Sequence, residues 1–450
     1  MEQLPFLRHE SLDAVLAYRG GRPVTVGRFL ADSAALATAL PPCSAVVNTC
    51  ADRYLFAVGL AAALLRRRTT LLLPARVTGH WEEIAQRYPG HCEISDAGID
   101  AGIDGTPMQQ VLAGGPERVA TLTLQDFAFP GDQAAVIAFT SGTTGRQMPH
   151  PKSWGSLVRS TRAVGKIFGI ERLGSAAILG TVPHQHMYGL ESALLLATQN
   201  KSAFDADRPF YPGDVLARLE ALPRPRILVT TPIHLRSLVA DAGSAPPADL
   251  LISATAPLSP QLAAAAELRF KAPLREIYGC SECGQIAHRR TVRAAEWECL
   301  EGFRLRQDER GTLVTGAWTS EETLLADTIE LLSPARFLLH GRTADLVNIA
   351  GKRTSLFHLD YHLNAIEGVL DGIFYMPDEA ADSVTRLAAY VVGAPGVTPE
   401  FVIDRLRRSI DAAFLPRPLR FVETLPRDAN GKVTRAALRD LATPTPGRTP

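Results

Sequence analysis

Apolar and polar residues follow two rhythms along this chain. Short, nearly continuous apolar runs predict buried strands at residues 44–47, 70–73, 134–139, 176–179, 226–230, 250–253 and 274–278. Stretches with apolar residues at helical spacing lie between several of them. Thr25 is placed to cap a helix running through Leu40, and Asp52 one running to Leu65. Strand, helix, strand in this order predicts an α/β domain of layered sheets and helices. The later strands each run into a loop bearing Pro, Gly, Ser or Thr. In open α/β sheets ligands gather outside the carboxyl ends of the strands, so chemistry is expected in those loops.

The pattern changes after Gly341-Arg342. A smaller α+β unit is predicted there, with a helix around 360–370, a strand at 387–392 and a helix over 399–414. It closes in a loop over 425–432, where Asn430-Gly431 makes a tight turn and presents Lys432 at its tip. The predicted division is a core over 1–341, a second unit over 342–440 and a Thr/Pro tail over 441–450 that is expected to be disordered.

With 450 residues, several subdomains rather than one core are expected, and 46% apolar with 21% charged residues suits a soluble globular chain. Lys+Arg and Asp+Glu balance at 47 each, which argues against a surface built to coat nucleic acid. No basic segment followed by an apolar core opens the chain. The longest apolar run, 55–65, is broken by Gly59 and too short for a membrane span. Six irregularly spaced cysteines read as reduced thiols, and a cytoplasmic protein is expected. Arg66-Arg67-Arg68 reads as a solvated helix end. Cys280 and Cys283 form a C-x-x-C pair without a second pair, and read as packing thiols rather than zinc ligands.

The first chemical candidate follows the strand at 134–139. Thr140-Ser141-Gly142-Thr143-Thr144-Gly145 is a turn of small and hydroxyl residues, able to converge backbone N–H groups and hydroxyls on phosphate oxygens. Taken alone it is equally a surface loop, and it is not a Walker loop, because no Gly-Lys-Ser/Thr follows. Further segments accompany it: Val182-Pro183-His184-Gln185-His186-Met187-Tyr188-Gly189, Ser253-Ala254-Thr255-Ala256-Pro257-Leu258, Tyr278-Gly279-Cys280-Ser281-Glu282, Asp327, Gly341-Arg342-Thr343-Ala344-Asp345, and the Pro426 to Arg435 loop with Lys432.

In this order the segments resemble the adenylate-forming superfamily of acyl- and aryl-CoA synthetases, nonribosomal-peptide adenylation domains and luciferases, over nearly the whole chain. The resemblance implies a large N-terminal domain and a small mobile C-terminal lid. It makes 140–145 the phosphate loop, His186 the gating aromatic, and Thr255, Ala256 and Pro257 part of the wall around adenine. Tyr278, Gly279 and Ser281 belong to its Tyr-Gly-x-Thr-Glu motif, with Glu282 as the Mg²⁺-binding carboxylate. Asp327 would grip the ribose, Arg342 would open the hinge motif, and Lys432 would be the catalytic lysine.

Three departures stand out. The lysine slot of the phosphate loop is Met148, with Lys152 four residues on, a cofactor-binding candidate that either curls back to serve the phosphates or contacts solvent; the hinge slot is Ala344; and the core is short. The variant loop and modest length are similar to those of stand-alone ligases of aryl-polyene or fatty-acid-type biosynthesis. The implied reaction joins ATP and a carboxylic acid, aryl or medium-chain acyl, into an adenylate with release of pyrophosphate. The acyl group then passes to a thiol, either CoA or the phosphopantetheine of a separate carrier protein. Two other readings stay open: a non-catalytic acyl- or nucleotide-binding relative, which Met148 and Ala344 allow, and a phosphotransferase using the same glycine loop.

Overall fold

The computed structural model describes residues 2–73, 78–96, 112, 122–141, 147–316, 318, 322–342, 345–349, 352–377, 386–427, 433 and 435–442. Two sheets carry the first three quarters of the chain. The smaller has five strands in the order Cys92–Ile94, Ala45–Asn48, Thr69–Leu72, Ala134–Ser141 and Gln147–Ser153. The first four are parallel and the last is antiparallel. The larger has eleven strands, with Leu274–Cys280, Leu250–Ser253, Arg226–Thr230 and Ala177–Gly180 as its parallel centre.

The caps fall where the pattern places them. Thr25 accepts from the Arg28 amide at the head of Val26–Ala39, and Asp52 accepts from that of Leu55 at the head of Arg53–Leu65. The second helix is buried all round from Arg53 to Leu64, as its unbroken apolar sequence requires. Its first residue ties the sheets together. The Arg53 guanidinium, fully buried, donates to the main-chain oxygens of Asp205, Asp207, Gly180 and Val182 at 2.5–3.3 Å.

The Gln147–Ser153 strand holds two prolines and is not among the predicted strands. It is tolerated because it is an edge strand, paired on one side only, where a missing N–H costs no ladder bond. The hairpin Val15–Arg19 and Arg22–Thr25 joins the other edge of the large sheet, turning through Gly20-Gly21 at φ 53° and 79°. That turn is the signal that betrays it.

From 346 onward a separate apolar cluster gathers Val347, Leu359, Leu363, Phe374, Val391, Val402 and Phe414. Two predicted elements are corrected here. The helix expected around 360–370 is Leu356–Asn364, because Ser355 caps it earlier. Gly368 at φ 85° then turns the chain into the strand Val369–Tyr375. The helix expected over 399–414 ends at Arg407, and Asp411 caps a separate 3-10 turn at Ala412–Phe414. Among the described residues no helix is long and apolar enough to cross a membrane.

Candidate active site

The four central parallel strands of the large sheet end on one side, and three of the predicted segments lie at the ends of Ala177–Gly180, Leu250–Ser253 and Leu274–Cys280. His186 lies beyond Ala177–Gly180, as the N-cap of a helical segment over 187–199 that passes through a π-turn at Leu190–Leu195. Its neighbour His184 is buried, with Nε2 2.8 Å from the Cys50 carbonyl oxygen, so it anchors the segment rather than lining a pocket. Burial, with the Arg53 charge nearby, pulls the His184 imidazole down to about 3. The Tyr188 hydroxyl sits between the carbonyls of Thr230 and Ile252, at 2.9 and 3.1 Å.

Thr255, beyond Leu250–Ser253, has φ 82° and is exposed. A β-branched residue in that region is strained, and such strain is concentrated where backbone shape serves a ligand. Ala256 and Pro257 follow it, half-buried.

Tyr278, near the end of Leu274–Cys280, is buried and donates its hydroxyl to Asp327 Oδ2 at 2.7 Å. Burial and that carboxylate push the phenol well above its ordinary range. Asp327 in turn is the register partner of Arg342 in the neighbouring strand. Tyr278 is thus brought to the strand pair that holds Asp327 and Arg342. Gly279 has a steric reason: a Cβ there would lie 2.3 Å from the Gly284 carbonyl oxygen, at the bulge where the strand pairing shifts.

The turn after Cys280, with Ser281 and Glu282, lies along the Gln147–Ser153 strand of the other sheet. The Lys152 ammonium, in a residue only 8% exposed, donates to the Glu282 main-chain oxygen. His150 Nε2 is 3.8 Å from Glu282 Oε1. Burial lowers the His150 imidazole, Glu282 opposing and Lys152 reinforcing the shift. Sequence reasoning passes over His150; the signal is its spacing, two residues from Lys152 on one face of an extended strand. A single carboxylate at an open turn suits Mg²⁺, which binds through one or two carboxylates plus substrate phosphates and keeps water. Among the described residues no cluster of three or more His, Cys, Asp or Glu forms a protein-only metal cage.

Sequence reasoning also misses Glu191. It is buried in the π-turn, accepts from the Ser160 hydroxyl at 2.9 Å, and is pushed up to about 7 by burial, with Ser160 and Lys152 opposing. Gly142, Thr143, Thr144, Gly145, Ala344 and Lys432 lie outside the described residues, while Thr140 and Ser141 close the Ala134–Ser141 strand that leads to them. One further contact bears on the closing loop: Asp371 receives Arg236 at 2.8 Å and Arg427 at 2.7 Å.

The family model of AMP-binding enzymes matches residues 75–309, more than half of the chain. The chain belongs to the AMP-binding enzyme family. The reaction class is that of the AMP-forming acid–thiol ligases of the adenylate-forming superfamily. Among curated members, a 4-coumarate–CoA ligase of Rhodobacter capsulatus is 27% identical over 346 residues, 76% of this chain and 84% of that one. A 3-hydroxybenzoate–CoA/4-hydroxybenzoate–CoA ligase of Thauera aromatica is 24% identical over 368 residues, 71% of this chain and 68% of that one. The o-succinylbenzoate CoA synthetase of Bacillus subtilis, solved with its acyl-adenylate, superposes with a TM-score of 0.79 at 16% identity, covering 98% of this chain and 99% of that one. The mixed α/β architecture of the family therefore extends over nearly the whole chain.

Proposed function

We propose that this protein activates an aromatic carboxylic acid with ATP and passes the aryl group to the thiol of coenzyme A. A carboxylate oxygen attacks the α-phosphorus and the bond to the β-phosphate breaks, releasing pyrophosphate. The thiolate sulfur then attacks the acyl carbon, and AMP leaves. The observation that carries this reading is the meeting of Tyr278, Asp327 and the Glu282 turn at one sheet edge, against the strand that follows the phosphate loop. The aromatic class is supported by the relatives, named for coumarate and hydroxybenzoate.

Attack of one anion on another is limited by charge and alignment, so catalysis here is mainly neutralisation and positioning. Thr140, Ser141, Thr143 and Thr144 with the glycine backbone would hold the β- and γ-phosphates. Glu282 would hold Mg²⁺, which offsets the charge of the departing pyrophosphate. Asp327 offers two acceptors to the ribose diol, Ala256 and Pro257 flank the base, and His186 gates the acid. Lys432 supplies a point cation between the acid and the α-phosphate. The unit over 342–440 moves about Ala344 between the two steps. A cytoplasmic location, where ATP and CoA are at hand, fits this reading.

Pyrophosphate release across a panel of aromatic and medium-chain acids, with CoA or a pantetheinylated carrier protein as acceptor, tests it. Turnover with benzoate- or cinnamate-type acids and CoA is expected. Preference for aliphatic acids or for the carrier corrects the substrate class. No AMP formation with any acid means a non-catalytic binding relative.

A further inference from the structure

We propose that Lys152 is a positioning residue for the Glu282 turn: its buried ammonium holds the turn by a main-chain oxygen and so aims the carboxylate, while Glu191 backs the same turn at Gly284. The inference rests on the proposed ligase function, because it takes Glu282 as the metal-binding group.

The Gln147–Ser153 strand supplies the direction. Gln147 pairs with Ser141 at the mouth of the phosphate loop, whereas Lys152 pairs with Val136, five residues further along. At ~3.3 Å per residue that places the Lys152 backbone about 16 Å from the mouth. Residues 148, 150 and 152 share one face of the strand. The Glu282 main-chain oxygen lies at Lys152 and its carboxylate at His150, which is nearer the loop. The turn therefore runs along the strand with its carboxylate leading towards the phosphates. Met148 occupies the family's lysine slot on the same face, and it is 52% exposed, closer to the loop than either. Lys152 is accordingly placed behind the metal-binding group, not beside the phosphates.

An ammonium buried beneath a sheet edge needs compensation beyond one carbonyl. Glu191, 2% exposed in the π-turn, is within electrostatic reach of that ammonium without pairing with it directly. Its Oε1 lies where a Cβ on Gly284 would come within 3.2 Å, so Glu191 touches the far side of the same turn. The hydroxyl of Ser160, on the helix Trp154–Phe168 that follows the strand, fixes this carboxyl from the other side. π-turns of this kind recur at functional sites, where the extra residue re-aims a side chain.

The test compares Lys152→Met, Lys152→Arg and the double variant Lys152→Met with Glu191→Leu, using ATP–pyrophosphate exchange and thermal unfolding. For Lys152→Met, the Mg²⁺ concentration for half-maximal exchange should rise about tenfold or more, as loss of a group orienting a metal ligand does. The KM for ATP at saturating Mg²⁺ should stay within about twofold. The Tm should fall in Lys152→Met and recover in the double variant, because no lone buried charge remains. The raised Mg²⁺ requirement should persist there. The extra Tm gained from ATP with Mg²⁺ over ATP alone should shrink in both. Lys152→Arg, which keeps the charge but moves the donor, should also raise the requirement, and carries the measurement if Lys152→Met does not fold. An unchanged Mg²⁺ requirement overturns the inference, as does its full return with the Tm in the double variant, which would mean a structural role only. A rise in ATP KM alone would place Lys152 on the phosphates. If the parent exchanges pyrophosphate with no acid, the ligase reading fails, and the Tm shifts with ATP and Mg²⁺ decide on Lys152 by themselves.

Discussion

The Tyr278 hydroxyl meets Asp327 Oδ2 at 2.7 Å, from a ring packed against Trp297 and Phe337. The phenol thus fixes the rotation of the carboxylate proposed to grip the ribose. Tyr278→Phe removes the bond and keeps the ring. Loss of one hydrogen bond to a charged group, about 1.5 kcal/mol, should raise the KM for ATP roughly tenfold with little change in kcat. Steady-state kinetics with varied ATP checks this; a fall in kcat at constant KM would remove Asp327 from nucleotide binding.

Lys432→Ala should lower adenylate formation by at least about two orders of magnitude, the usual loss when a transition-state charge partner is removed. Transfer from a supplied acyl-adenylate to CoA should survive. Both half-reactions are measurable separately, and equal damage to the two would contradict a role confined to the first.

Acid should destabilise the fold through buried neutral histidines. Burial pulls His184 down to about 3 and His234 to about 4, against about 6.5 for an unfolded histidine. Below pH about 6.5 the unfolded chain takes up protons that the folded one refuses, so stability present above that pH is lost as pH falls towards 4. Each group contributes at most about 1.4 kcal/mol per pH unit. Unfolding in urea between pH 7.5 and 5 should reveal the decline, and His184→Gln should flatten it. An identical slope in that variant would assign the decline elsewhere.

Asp371→Asn leaves Arg236 and Arg427, both largely buried, without their shared carboxylate. A loss of about 2 kcal/mol is expected, less than for a fully buried pair because water reaches part of the group. The loop after Leu425 should also be cut faster by trypsin. Unchanged stability and cleavage would mean the node is dispensable.

Much of this was legible in the sequence, and the reasons are local. Thr25, Asp52 and the apolar runs report their own caps and burial, so helix starts and central strands are readable. The Val369–Tyr375 strand was not, because Leu359, Leu363, Val369 and Leu370 also fit a helical spacing and only Gly368 at positive φ decides. The resemblance assigned Tyr278, Asp327 and Arg342 to one site; in the structure a hydrogen bond links Tyr278 to Asp327 and strand register pairs Asp327 with Arg342. His150 and Glu191 stayed hidden, since each acquires its role from partners on other elements: Glu282 for the first, Ser160 and the turn at Gly284 for the second. No pattern along one segment carries that information.

The Arg53 tie has a consequence for modularity. Two of its four acceptors, Gly180 and Asp205, end strands of the large sheet and the other two lie just past those ends, while its helix packs on the small sheet and residues 15–25 leave the amino-terminal region to form an edge of the large one. The two sheets are therefore threaded through each other and cannot be inherited, expressed or exchanged as separate pieces. A break anywhere between 26 and 176 leaves one of them without its edge or with bare carbonyls at its heart. Recombination that swaps substrate pockets among relatives has to take both sheets together, whereas the apolar cluster that begins at Val347 is separate from them.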